Sequence, residues 1–389
     1  MKKMINCIAK NQIIFVGLED SKRTWKLCVR SGGIVIQETS MPAQYAVLLA
    51  YFRNGFPGCK IKVLYEAGFK GFTLHDRLAA DGIECVVTPP HTVTQEKDSR
   101  MKCDKIDARR LAINLENGDF KTCYVPDKEL REDRQASRML IQVQKDITRQ
   151  KNRIRKFLDF HGYEEEFPAG AWYDRDYQKL EELSIAEPLQ YCLTLFLNTL
   201  RHLEETKKKL VCRLKELSKK PRYAPTFQLF ESAPGVGWYT AIRLVLEWGT
   251  DIAKRFSSEK KIAAFTGLTS SEYSTGETVR RGRITGQGNR AVRAWLVKSA
   301  WTAYKKDPAL LHKFQDIYSR TSSKKKAIVA VARKLTVRLR TLVVTNTPYQ
   351  LGRCPLKIAL KTKTMKRQPR QVSEGSVQRS ASCAIAARH

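Results

Sequence analysis

None of the ten cysteines in this chain stands in a CxxC pair or in a cluster with histidine, of which there are only six. That scatter argues against the common zinc sites and against a disulfide framework. It suits reduced, mostly buried thiols in a cytosolic protein. Long hydrophobic runs are missing too. No stretch is long enough to span a bilayer, and the N-terminal MKKMINCIAK lacks the apolar core of a signal peptide. The scarcest feature is negative charge: 39 Asp and Glu stand against 71 Lys and Arg, a formal net charge of +32. Solubility needs far less. Such an excess implies a polyanionic partner, most simply nucleic acid held through its phosphates, with an anionic membrane surface as the rival. No base-reading motif is visible.

What is present fits a folded protein. The 389 residues, 42% of them hydrophobic, suffice for two or three domains with cores of their own. Residues 13–21, IIFVGLEDS, read as a buried strand ending in Glu19 and Asp20. Short strands follow at 25–30 and 34–37, joined by a Ser-Gly-Gly turn, and make an antiparallel meander. A helix is expected over 43–52, a strand over 60–65 finishing at Glu66, a helix over 72–80 and a strand over 84–88. Pro89-Pro90 stops that strand, and 92–103 reads as a polar, basic loop. Residues 104–116 then have helical spacing, which puts Asp104 and Asp107 on one face near the helix start. The order of elements matches the α/β ribonuclease-H/RuvC-like layout.

From 127 to about 220 the composition shifts to long charged helices. Leu189, Leu193, Phe196, Leu200, Leu203, Leu210, Leu214 and Leu217 keep coiled-coil spacing, either in a hairpin within the chain or between protomers. Residues 164–177 read as the turn. Further on, Gly235-Val236-Gly237 opens a helix over 239–247, a geometry able to offer backbone N–H groups to phosphate, as in helix-hairpin-helix DNA binders. A polar loop over 269–288 and basic helices over 289–304 and 324–344 follow. Trp295 and Trp301, at near-helical spacing, read as core. The domain expectation is 1–125 for the RuvC-like unit, 126–225 for the coiled coil, 226–348 for a mainly α C-terminal unit and 349–389 for a basic disordered tail.

Two constellations carry chemistry. Glu19 or Asp20, Glu66, Asp104 and Asp107 are carboxylates at strand ends and at a helix start, the set that phosphoryl transfer on Mg²⁺ requires. Singly, each is better read as a solvated charge or a helix cap, Asp104 above all as a cap; their order and placement together favour the metal site. The second is Ser274 and Thr275 before Gly276, followed by Arg280, Arg281, Arg283, Asn289, Arg290 and Arg293. A hydroxyl amid arginines can attack a phosphodiester. From the residues alone, an ordinary loop touching phosphates is the better reading.

These motifs, VGLEDSK at 16–22, YEAG at 65–68, KCDKIDA at 102–108, APGVG at 233–237 and FTGL…EYSTG…RRGRITGQGNRAVR over 265–293, resemble the DEDD-type insertion-sequence transposases of the 110/1111 family across about 15–344. The resemblance implies a RuvC-like domain, a coiled-coil linker and a C-terminal transposase domain. It implies Mg²⁺-dependent cutting and joining of element and target DNA by an acidic tetrad and a serine nucleophile, in an oligomer whose protomers share the active site. It also implies guidance by a bridge RNA and a cytoplasmic, nucleoid-associated place in a prokaryote. Two departures stand out. The family's first Asp falls on Glu19, with Asp20 the neighbouring candidate on the opposite strand face, and the usual Ser before Gly falls on Thr275, with Ser274 beside it. The alternatives are a plain Mg²⁺ nuclease resembling a Holliday-junction resolvase and an inactive nucleic-acid-binding relic.

Overall fold

The structure, a computed structural model, describes residues 11–90 and 103–352 except 169, 276 and 277. The expected loop over 92–103 and most of the expected basic tail lie outside the described residues.

The N-terminal unit is built on a five-stranded mixed sheet. β1 (Ile13–Asp20), β2 (Thr24–Ser31) and β3 (Ile34–Pro42) form the antiparallel meander. β4 (Lys60–Glu66) and β5 (Glu84–Thr88) continue it in parallel, in the order β3-β2-β1-β4-β5. Strand alternation divides the side chains between two faces. Ile14, Val16 and Leu18 of β1 pack with Val63 and Tyr65 of β4, beneath Leu48 and Phe52 of α1 (Tyr45–Gly55) and Leu74 and Leu78 of α2 (Thr73–Ala80). Phe15 and Leu64 point the other way, against Leu111 and Leu115 of α3 (Asp104–Asn117).

Gly17 sets the distance between sheet and α3. A Cβ built there would lie 2.1 Å from the Ala108 carbonyl oxygen and 2.3 Å from the Ala112 nitrogen. Only a residue without a side chain lets the helix backbone lie this close to the strand. Ion pairs fix its rotation. Arg30 of β2 meets Glu116 at 2.7 Å, and Glu38 of β3 takes Lys105 at 2.9 Å and Arg109 at 2.6 Å.

The central unit is an antiparallel helical hairpin within one chain. α4 (Lys128–Phe160) runs out, α5 (Asp174–Glu181) lies in the connection that the sequence suggested was a turn, and α6 (Glu187–Lys219) returns. Ile154 and Leu158 pack on Leu193, Leu197 and Leu200 at the far end. Gln150 donates to the Phe196 carbonyl at 3.0 Å, and Lys220 meets Asp133 at 2.9 Å. At the near end Leu140, Leu214 and Leu217 join the C-terminal core.

That core surrounds α8 (Trp238–Trp248), buried from Ala241 to Trp248. α7 (Ala224–Glu231), α9 (Ile252–Arg255) and α10 (Glu259–Phe265) precede a two-stranded hairpin of β6 (Ser270–Thr275) and β7 (Thr278–Ile284). α11 (Arg290–Lys306), α12 (Pro308–Thr321) and α13 (Lys324–Thr345) complete it. The polar stretch expected to be a loop is therefore largely a hairpin. Among the described residues no helix is long and apolar enough to cross a membrane.

Candidate active site

β1 and β4 are parallel neighbours, with Leu18 beside Tyr65, so Glu19 and Glu66 follow side by side at the same edge. Both continue the strand face that α3 covers. The first turn of α3 supplies Asp104 and Asp107. Cys103 holds the N-cap position without a side-chain cap, so Asp104 is not spent on capping. The Ser21 hydroxyl reaches Asp104 at 3.4 Å, tying the end of β1 to the start of α3.

The acids act on one another. Burial pushes the Glu19 pKa up to about 7, and the negative charges of Glu66, Asp107, Asp104 and Asp20 add to the rise. A partly buried carboxylate facing this many others has the character of a cation site. Among the described residues no three His, Cys, Asp or Glu side chains are gathered tightly enough to hold a metal ion as they stand. The four carboxylates are electrostatic neighbours spread around a common edge. Their oxygen donors are the hard ligands that suit Mg²⁺.

Asp20 is differently employed. It falls on the α1–α2 face, its side chain 6% exposed, paired with Lys70 at 2.7 Å and accepting a hydrogen bond from Trp25 Nε1 at 2.6 Å. Lys70 also donates to the Ser21 carbonyl at 2.9 Å and lies over the Trp25 ring. This anchor holds the end of β1 and thereby Glu19. Sequence reasoning missed Lys70; its only mark was a lysine shortly after the YEAG motif.

The hydroxyl candidates lie at the free end of the β6–β7 hairpin. Ser274 and Thr275 are both exposed, and Ser274 donates to Glu272 at 3.0 Å. Pairing of Tyr273 with Arg280 and of Thr275 with Thr278 puts Thr275 on the Arg280 face and Ser274 on the opposite one. Arg283 is exposed on β7. Arg281 lies between them on the strand; its side chain is outside the described set.

Three residues expected to meet nucleic acid are engaged inside the protein. Asn289 accepts from the Ala291 and Val292 nitrogens, capping α11, and donates to Glu247 at 3.2 Å. Arg293 reaches the carbonyls of Thr266 and Gln287, both at 3.3 Å. Gly235, at φ +79°, lies against α11, where a Cβ would come within 2.3 Å of the Ser299 carbonyl oxygen. Its turn is shaped for helix packing. Gly237 is exposed at the start of α8, and Arg290 is exposed at the start of α11.

Behind the α11 start lies a buried charge network. Glu247, 4% exposed, faces Arg138 at 3.1 Å and Arg134 at 3.9 Å. Arg255 donates to the carbonyls of Glu247 and Trp248, and burial lowers its pKa to about 10.

Comparison with known proteins bears on both ends of this arrangement. A DEDD transposase model of the IS110 group, described as "Transposase", matches residues 16–162, and one described as "Transposase IS116/IS110/IS902 family" matches residues 227–315. Between them they take in more than half of the chain. The chain belongs to this transposase family. It is similar to the putative transposase y4qE of Sinorhizobium fredii, 28% identical over 72% of this chain and 67% of that one. Putative transposase y4rJ of the same organism is 28% identical over 84% and 90% of the two chains. The transposase for insertion sequence element IS1533 of Leptospira borgpetersenii is 26% identical over 48% and 55%. The transposase is thus an enzyme of insertion-sequence movement, with DNA as the molecule it acts on. The acids lie within the first matched segment, and the hydroxyl hairpin lies within the second.

Proposed function

We propose that this transposase cuts and rejoins DNA strands with Glu19, Glu66, Asp104 and Asp107 as Mg²⁺ ligands and a hydroxyl of Ser274 or Thr275 as nucleophile. The observation that carries the reading is the placement of Glu19, Glu66, Asp104 and Asp107 at one edge by β1, β4 and α3, where burial and the neighbouring acids raise the Glu19 pKa to about 7. The strand order, a three-stranded meander followed by two parallel strands, is the one expected of a ribonuclease-H/RuvC-like domain. Mg²⁺ bound there would stabilise the negative charge that develops on the scissile phosphate and the departing oxygen.

This chain's own part is then as follows. The Ser or Thr hydroxyl gives up its proton as its oxygen bonds to phosphorus, one P–O bond to the departing strand breaks, and the freed sugar oxygen takes up a proton in exchange. Reversal with a new sugar hydroxyl rejoins the DNA and frees the side chain. Arg280 and Arg283 lie on the same hairpin, where their charge favours the crowded phosphate. Exposure of the hairpin end suits delivery to the acids of a second protomer, and hence a homo-oligomer. Guidance by a bridge RNA and a nucleoid-associated setting complete the reading as the family resemblance implies them; the excess of basic residues is compatible with both nucleic acids.

The test is strand cleavage of labelled element-junction DNA. Glu19→Gln or Asp104→Asn should lower the Mg²⁺-dependent rate by at least about 100-fold, on the scale of losing a transition-state charge partner. Asp20→Asn should lower stability more than rate. Cleavage unchanged in Glu19→Gln, or undiminished in EDTA, contradicts the assignment.

A further inference from the structure

One cleft combines aromatic, apolar and cationic groups that the roles above do not use. Its volume is about 500 Å³. Its walls include Ile284 at the foot of the hairpin, Arg290, Val297, Lys298 and Trp301 of α11, and Val329 of α13. The α11 residues recur at i, i+7, i+8 and i+11, which makes them one stripe along the helix. Trp301, read from the sequence as core, is 40% exposed here, whereas Trp295 lies under Arg243 at 3.9 Å. From Trp301 an aromatic row runs through Tyr304 and Phe314, half-buried against the C-terminal core, to exposed Tyr318 of α12. Phe314 lies 6.4 Å from Trp301 and stacks on Tyr304 at 4.5 Å and on Tyr318 at 6.0 Å. Exposed Lys325 and Lys326 stand one turn before Val329 on α13. Among the described residues no acid lines the cleft.

A solvated helix face needs no exposed indole such as Trp301. An indole plane with cations at its rim suits an unpaired nucleotide, whose base stacks on the ring while its phosphates meet the charges. A base inside a duplex is already stacked and has no free face to offer. The occupant follows from the activity and the position. This enzyme acts on DNA, and the cleft wall includes the foot of the hairpin whose far end bears Ser274 and Thr275. β7 spans about 20 Å from one to the other at roughly 3.3 Å per residue.

We propose that this cleft binds an unpaired stretch of DNA, one base stacked on Trp301, the adjoining phosphate on Lys298 and a phosphate further along the strand on Arg290, about 16 Å down the helix. The strand so held is led along β7 toward the hairpin end. Binding here requires neither the acids nor the nucleophile, so it stands or falls apart from the catalytic reading.

The experiment measures affinity of the full-length protein by fluorescence anisotropy for an oligothymidine, a DNA duplex of equal length and an oligouridine. Trp301→Ala should weaken oligothymidine binding about tenfold, the effect of removing one stacking platform. Trp301→Phe should restore most of the affinity. Trp301→Leu, which keeps an apolar contact for Phe314, should lose as much as the alanine variant. Duplex binding should change by less than about twofold, within what one surface substitution does to a backbone contact. Lys298→Gln should reduce the salt slope by about one. Melting temperatures within a few degrees of wild type keep folding out of the comparison. Unchanged oligothymidine affinity in Trp301→Ala and Trp301→Leu overturns the proposal. So does an equal loss on duplex, which would make the cleft a general backbone surface, or a loss confined to oligouridine, which would make the occupant RNA.

Discussion

Glu19 is the residue on which the proposed chemistry turns, and its protonation gives a prediction. Its pKa stands near 7, against an ordinary 4.5. The folded state therefore holds this proton more tightly than the unfolded chain. The stability it contributes is full below about pH 4.5 and is lost as the pH rises towards about 7. A divalent cation among the four acids favours the ionised form, so Mg²⁺ should raise the melting temperature more at about pH 8 than at about pH 5. Glu19→Gln should flatten both trends. Calorimetry across that range checks it, and a Mg²⁺ increment independent of pH and of Glu19 counts against the site. A second prediction concerns Glu247. Its removal leaves Arg134, 6% exposed, without its acid, and Glu247→Ala should cost about 3–5 kcal/mol in denaturant unfolding.

At the scale of elements, the site depends on how α3 lies on β1. Gly17→Ala places a methyl within 2.1 Å of the Ala108 carbonyl oxygen, so the helix must lift away. Destabilisation of at least about 1–3 kcal/mol is expected in urea titration, together with loss of strand cleavage as Asp104 and Asp107 leave Glu19. The N-terminal elements were legible because each half-buried strand wrote its alternation into the sequence. β5 was placed at its observed ends, and β3 was expected over 34–37 but runs to Pro42. The two-face argument separated Glu19 from Asp20 in principle. The partner that takes up Asp20, Lys70, lies fifty residues away and leaves no local pattern. The β6–β7 hairpin was hidden because both of its faces are polar, so no apolar periodicity marks it. α12 was passed over although Asp307-Pro308 is a helix-start signal: Asp307 accepts from the Ala309 and Leu310 nitrogens, and Pro308 opens the helix. Leucine spacing announced α6 but left open whether its partner was in the same chain; α4 answers that within the hairpin.

For the whole molecule, a net charge of +32 predicts binding in which released counterions supply much of the free energy. Log affinity for DNA should fall with log salt at a slope steeper than about −5, measured between 50 and 200 mM or thereabouts, in keeping with six or more phosphate contacts. The central claim is more specific: acids on one unit and a hydroxyl on another make and break the same phosphodiester. The most direct measurement incubates the transposase with labelled element-junction and target DNA, Mg²⁺ and RNA from the element's flanks, then denatures and looks for DNA attached to protein. The account predicts a covalent adduct that needs Mg²⁺ and Glu19 and disappears in either Ser274→Ala or Thr275→Ala, the variant that loses it naming the nucleophile. Nicked DNA with no adduct in the wild type, or an adduct that survives removal of both hydroxyls, would contradict it.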